Sequence, residues 1–399
     1  MRVSTSWIFN SGSQTLMRKQ AELLQTQDQL SSGRRVVKPS DDPGAASNAL
    51  TTEQARARVA QYVRNQGTAQ STLQLAESSL AQVGEALQGV RELAVAAGNG
   101  ALSRNDRAAL AVDVRGRLAH MLGMANARDA SGAYLFSGYQ DGVQPFVRGA
   151  GGIAYQGDQG SRALQVGAQR LLEVSASGSA VFEGARAGNG HFTVAAGAAN
   201  AGGAWADAGQ VANPAALTGD TYQVVFTSAT AYDVVDVTSG ATLVSGAAYA
   251  PGATLAFGGM QFTLSGTPAA GDRFDVAPSA RQSTFALLDE FATLLEESAT
   301  GAVGPAEYQT RLASLTAGID QAHDHVLSVR TALGARLREL DALGSQAADE
   351  TLLHQQELSR LLDLDYAEGA SRLAQQQLTT QAAQQAFLRL SSLSLFNFL

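Results

Sequence analysis

The 399-residue chain has no cysteine, two tryptophans, eight prolines and, in Lys19 and Lys38, only two lysines. Without thiols there is no disulfide framework, no thiolate metal site and no cysteine nucleophile. No uninterrupted apolar run reaches the ~18 residues that a membrane span needs, so no membrane partner is expected. The residues after Met1 are polar, with no charged segment leading into an apolar block, and no cleaved signal peptide is expected. A balance of 28 basic to 36 acidic residues leaves a net charge of −8. This argues against a nucleic-acid partner, because a phosphate backbone demands a clustered basic surface. The densest basic run, Arg34, Arg35 and Lys38, reads as a solvated turn.

Catalytic signatures are missing as well. The histidines are His120, His191, His323, His325 and His354. His323 and His325 stand two apart in a helical stretch and do not share a face. There is no H-E-x-x-H, phosphate loop or G-x-S-x-G. The chain is therefore read as a non-enzyme, with no catalytic residue, cofactor or metal.

What the chain does have is helical periodicity at both ends. Phe9, Leu16, Leu23 and Leu30 recur every seven residues; Tyr366, Leu373, Thr380 and Phe387 do the same, and Leu390 follows them. One apolar residue per two turns is too thin a core for a self-sufficient coiled coil, and Gln20 and Gln27 are polar where a second row is sought. Isolated helices of this kind are marginal in water. The two ends are therefore expected to order against each other and against neighbouring subunits. The assembly-interface residues are Phe9, Leu16, Leu23, Leu30, Tyr366, Leu373, Phe387 and Leu390. Leu393, Leu395, Phe396, Phe398 and Leu399 close the chain with further apolar side chains that need a partner.

Between the ends the period changes twice. Gly33 reads as a left-handed helix cap. The run Ser40, Asp41, Asp42, Pro43 reads as a helix start, with Asp42 as N-cap, Pro43 at the first helical position and acidic charge at the positive end of the dipole. An a/d register from Val59 to Ala97, broken mainly by Gln66, predicts a helix over about 43–97, stopped by Gly98-Asn99-Gly100. Ser103 and Asp106 predict a capped second helix that folds back antiparallel on the first. From 131 to 279 the period is two. Strands are expected at 222–227, 232–237, 242–244, 254–257, 261–264 and 273–276, at the spacing of a small sandwich or barrel. Residues 153–156 and 163–166 are expected to pair as a hairpin across Gly-Asp-Gln-Gly. Helix returns after Arg281, with a stripe from Leu312 to Ala347 in which Arg336 is the polar exception. The fold class is α+β and multidomain: a long antiparallel helical coiled-coil rod formed by the N- and C-terminal segments, carrying a Gly/Ala-rich all-β insert. The segments are an N-terminal arm at 1–42, rod helices at 43–130, an outer β domain at 131–280, rod helices at 281–352 and a C-terminal arm at 353–399. A Gly-rich connection near 183–220 would divide the outer domain into two subdomains.

Several of these residues also carry a family resemblance. Leu30-Ser-Ser-Gly-Arg-Arg-Val-Val-Lys-Pro-Ser-Asp-Asp-Pro-Gly-Ala-Ala46 resembles the N-terminal signature of the flagellin family. Arg330-Thr-Ala-Leu-Gly-Ala-Arg336, Leu340-Asp341, Asp365-Tyr366-Ala367 and the Gln-rich arm to Leu390 resemble its C-terminal domain. The similarity covers about 1–145 and 281–399. Ser40-Asp-Asp-Pro43, the opening Met1-Arg-Val-Ser-Thr-Ser6 and Ala133-Tyr-Leu-Phe-Ser-Gly-Tyr139 with Pro145-Phe146 are more similar to the family's junction members than to filament subunits. The resemblance implies a structural adaptor of the bacterial flagellum that joins hook to filament by helical self-assembly. It further implies extracellular placement after type III export, which suits an uncrosslinked chain. The implied partners are further copies of the chain, a hook-associated protein on the hook side, flagellin or a second hook-associated protein on the filament side, and an export chaperone on the C-terminal arm. The alternatives are a filament subunit, or an adhesin-like insert with Trp205, Tyr222, Tyr232 and Tyr249 at a glycan site.

Overall fold

The computed structural model describes residues 5–396. Contacts divide the chain into a central unit, 65–341, and a terminal unit drawn from 1–64 and 342–399. The helices are α1 (Thr5–Ser32), α2 (Pro43–Ala97), α3 (Arg104–Ala125), α4 (Gly178–Phe182), α5 (Thr284–Thr300), α6 (Pro305–Leu362) and α7 (Tyr366–Phe396). The expected arm boundary at 352/353 falls inside α6, whose helix continues to Leu362.

In the central unit the a/d register is the buried face. Ala69, Leu73, Ala76, Leu80, Val83, Leu87, Val90, Ala94 and Ala97 of α2 are buried, as are Leu312, Leu315, Ile319, Ala322, Val326, Leu333 and Leu340 of α6. The two helices run antiparallel, tied by Glu77 to Arg330 at 2.6 Å and Arg91 to Asp320 at 2.5 Å. The capping box of α3 forms as expected: Ser103 Oγ accepts from the Asp106 amide and Asp106 accepts from the Ser103 amide.

From sequence, α3 is expected to pack on α2. In the structure α3 lies along α2, where the Arg117 guanidinium fills the space that a side chain at Gly89 would need, but its tightest neighbour is α5. Arg115 reaches both Asp289, at 2.9 Å, and Glu296, at 2.6 Å. The Arg115 guanidinium holds the Glu296 carboxyl below its ordinary range. A depressed carboxyl contributes stability that is complete above the ordinary glutamate value of about 4.3 and is lost as the pH falls through the lower folded value. Arg115→Met should therefore cost about 1 kcal/mol or less at neutral pH, because all three groups are more than a third exposed. The gap between wild-type and variant unfolding midpoints should close in acid; a gap that stays constant into strong acid would contradict this account.

The middle of the chain is sheet. Strands β1 (Phe146–Gly149) and β2 (Gly152–Tyr155) form one hairpin, and β3 (Ala163–Gly167) with β4 (Arg170–Glu173) forms another. Residues 153–156 and 163–166 thus pair with neighbours on their far sides, not with each other as expected. Asp158, in the intended turn, instead accepts from the amides of Tyr139, Gln140 and Gly160, and this holds the turn against the 133–141 segment. The remaining strands are β5 (Phe192–Ala196), β6 (Trp205–Ala206), β7 (Gln210–Val211), β8 (Tyr222–Ser228), β9 (Ala231–Asp236), β10 (Thr242–Ala248), β11 (Ala253–Phe257), β12 (Met260–Ser265) and β13 (Arg273–Pro278). They make an antiparallel five-stranded sheet, β10-β9-β8-β13-β5, and a smaller sheet around β12. The two share one core of Phe192, Val224, Phe226, Phe262, Leu264 and Phe274. The six strands expected between 222 and 276 are all present. The stretch 183–220 is not a connection, since β5 pairs with β13 while β6 and β7 pair with β12.

Candidate assembly site

The two heptad stripes meet each other within the chain. In the terminal unit α1 and α7 run antiparallel, with the Phe9 and Phe387 ring centroids 5.1 Å apart at one end and Gly33 against Tyr366 at the other. Leu16, Leu23, Leu30, Leu373 and Phe387 are half-buried along this seam, whereas Phe9 and Tyr366 at its extremities are exposed. The side chain of Leu390 lies outside the described residues, as do those of Leu393, Leu395 and Phe396 and all of Phe398 and Leu399.

A second row completes the register, and it is not the one sought at Gln20 and Gln27, which are exposed. It lies three residues after each stripe position: Gly12, Lys19 and Thr26 on α1 with Gly33 just past its end, and Gly369, Gln376 and Ala383 on α7, all of them buried or half-buried. The glycines receive large side chains from the facing helix. A Cβ at Gly12 would lie 2.8 Å from the Phe387 ring, one at Gly33 2.7 Å from the Tyr366 hydroxyl, and one at Gly369 3.3 Å from Leu30. Large side chains, aromatic at Gly12 and Gly33 and leucine at Gly369, thus fill the glycine positions and give the thin stripe its depth. The sequence signal was present as glycine at a constant offset from the apolar row.

The signature segment forms the root of this pair. Gly33 takes φ +69°, as its cap role requires. Asp42 Oδ1 accepts from the Ala45 amide at 2.9 Å and caps α2, while Asp41 Oδ2 accepts from the amides of Val37 and Lys38 and closes the preceding turn. The Ala45 amide, then Arg35, keep the Asp42 carboxyl below its usual range. Pro43 opens α2, and Ser40 is exposed in the turn before it. Arg35 is not a merely solvated residue. It pairs with Asp42 at 3.0 Å and donates to the Leu361 carbonyl at 2.7 Å; its amide donates to the Leu362 carbonyl, and the Leu364 amide donates to the Gly33 carbonyl. The N-terminal turn is thereby stitched to the α6–α7 junction, 326 residues away.

With α1 and α7 paired, apolar side chains still face outward: Met17 is 64% exposed, Leu24 60% and Leu378 68%. Met17 and Leu24 are seven apart and share one stripe on the outside of α1. Among the described residues no three His, Cys, Asp or Glu side chains converge as metal ligands, and no helix is long and apolar enough to cross a membrane. Tyr222 and Tyr249 are buried in the sheet core, with their hydroxyls bonded to Thr218 and to the Gly266 carbonyl, so they form no glycan platform.

Helical termini of one chain, paired with each other and flanking a sheet-rich middle, define a flagellin-type subunit, and the bacterial flagellin N-terminal helical region matches residues 3–141. Flagellar hook-associated protein 3 of Escherichia coli K12 is 29% identical over 399 residues, 99% of each chain. The crystal structure of flagellar hook-associated protein-3 from Legionella pneumophila is 31% identical, with a TM-score of 0.74 over 78% of this chain and 98% of that one. FlgL of Xanthomonas campestris, 30% identical, superposes with a TM-score of 0.71 over 77% of this chain and 99% of that one. The chain belongs to the hook-associated protein 3 family, that of the flagellar junction protein FlgL.

Proposed function

We propose that this protein is the structural adaptor that joins hook to filament in a bacterial flagellum, assembling head to tail into a short helical segment. The observation that carries the reading is the α1–α7 pair, which spends one face on itself and leaves Met17, Leu24 and Leu378 facing outward. Apolar side chains at this exposure find burial in contacts with further copies, and heterologous contacts that do not close build a helical wall. The stripe residues Phe9, Leu16, Leu23, Leu30, Tyr366, Leu373 and Phe387 set the pair that presents this face, and Leu390 belongs to the same proposed interface. Segments 1–42 and 353–399 act as the assembly arms, and the sheet-rich 131–280 stands as the outer domain. A hook-associated protein lies on the hook side and flagellin, or a second hook-associated protein, on the filament side. The chain leaves the cell through the flagellar export apparatus, with a chaperone holding α7, and it performs no catalysis.

A strain lacking the gene tests this directly. It should make complete hooks, bear no filaments and release flagellin monomer into the medium, and plasmid-borne wild type should restore filaments. Filaments of normal number and length in the deletion strain would defeat the proposal. Purified protein added to isolated hooks should extend them by a short segment only; growth of long filaments from it would identify a filament subunit instead.

A further inference from the structure

The chain contains two Asn-Gly dipeptides, Asn99-Gly100 and Asn189-Gly190, in opposite environments. In this dipeptide the amide nitrogen that follows asparagine can approach the side-chain carbonyl carbon unhindered, because glycine has no Cβ and wide backbone freedom. Asn99-Gly100 occupies the turn between α2 and α3, where residues 98–101 are all exposed. Among the described residues the Gly100 amide donates no hydrogen bond, and a Cβ built at Gly100 would meet nothing within 4 Å. Asn99 Oδ1 accepts from the Ala101 amide at 3.0 Å, which draws electron density away from Cγ.

Asn189 is locked instead. Its Oδ1 accepts from the amides of His191 and Phe192 at 3.0 and 2.9 Å, and its Nδ2 donates to the Ala208 carbonyl at 2.9 Å. The would-be nucleophile, the amide of buried Gly190, already donates to the Ala187 carbonyl at 3.2 Å.

We propose that Asn99 is a self-modification site, open to intramolecular deamidation in the folded protein while Asn189 is protected. Hydroxide removes the Gly100 amide proton, and the nitrogen attacks Asn99 Cγ. The bond from Cγ to the carboxamide nitrogen breaks, and that nitrogen takes a proton from water and leaves as ammonia. The resulting cyclic imide adds water at either carbonyl and opens to aspartate or isoaspartate. The sequence of steps is hydrolytic, with no change of oxidation state. Either product places a carboxylate just beyond the negative end of the α2 dipole. The isoaspartyl product also lengthens the main chain by one carbon and displaces the Asn99 carbonyl that now accepts from Leu102 at 3.2 Å. The α2–α3 turn loosens with age.

The test uses the full chain, held in mildly alkaline buffer at physiological temperature and sampled by peptide mapping for the amide-to-acid mass shift. Enzymatic carboxyl methylation distinguishes isoaspartate from aspartate. Asn99 should convert at least roughly tenfold faster than Asn189, because Asn189 must first open several hydrogen bonds. In urea the two rates should draw level. Gly100→Ala has room at its position and should fold normally, slow conversion at Asn99 several-fold and leave Asn189 unchanged. Equal rates in the folded protein, a faster Asn189, or a folded Asn99 that stays intact while the urea-unfolded chain converts would overturn the proposal.

Discussion

Cells whose only copy of the protein carries Phe387→Asp are expected to complete the hook, bear no filaments and shed flagellin into the medium. The Phe387 ring covers Gly12 and packs 5.1 Å from Phe9, so a carboxylate there removes an aromatic knob of the α1–α7 seam. Once the pair is enclosed in an assembled wall, the unpaired charge costs several kcal/mol per subunit. In the purified chain the same variant should weaken only the terminal unit, and the main unfolding transition of the central unit should keep its midpoint. Leu378→Asp supplies the contrast. Its side chain faces outward, so the helix pair should form with unchanged circular dichroism while addition to isolated hooks is lost. Secreted amounts must be measured alongside, because a chaperone on α7 would feel both changes. Normal filaments built with a secreted Phe387→Asp protein would show that this seam has no part in assembly.

The largest stability loss is expected at Phe146→Ala. Phe146 is 1% exposed, and its ring centroid lies 4.9 Å from Phe285 on α5, 5.3 Å from Phe182 on α4 and 5.1 Å from Tyr155 on β2. It therefore holds the first hairpin, the short helix and the returning helix in one aromatic cluster. Truncation leaves a cavity that three elements must collapse into, and core Phe→Ala changes of this kind cost about 3–5 kcal/mol. Denaturant unfolding should show a lower midpoint with an unchanged slope. Val112→Ala, on the exposed face of α3, should stay within about 0.5 kcal/mol of wild type. A loss below about 1 kcal/mol at Phe146 would mean that the cluster repacks, in conflict with the close packing expected of such a core.

How much of this was readable beforehand follows from where each signal lies. The buried faces of α2 and α6 were legible because their apolar residues repeat at the helical period over many turns. The strands from 222 to 276 were legible because β-branched and aromatic residues alternate there between turn residues. The strands β1, β4, β5, β6 and β7 were not. Their segments are short or rich in Gly and Ala, and Phe192 and Val194 become core residues only once β13 pairs beside them. Along the α1–α7 seam the apolar row was legible and the glycines were not, because a residue without a side chain adds nothing to a hydrophobic pattern. Arg35 looks solvated in sequence because its acceptor, the Leu361 carbonyl, lies at the far end of the chain.

The sequence by itself determined the helical ends, the caps at Gly33, Asp42 and Ser103, the sheet-rich middle, the lack of thiol chemistry and the family. Each of these follows from residues close together in the chain, where backbone preference and short-range hydrogen bonds decide the outcome. The tertiary structure decided which strands pair, that α5 is the close partner of α3, that the stripes of α1 and α7 face each other over Gly12, Gly33 and Gly369, and which of two Asn-Gly dipeptides stands open. Those outcomes depend on contacts between residues far apart in the chain, and such contacts form only where packing and satisfied hydrogen bonds outweigh the entropy of closing the loops between them.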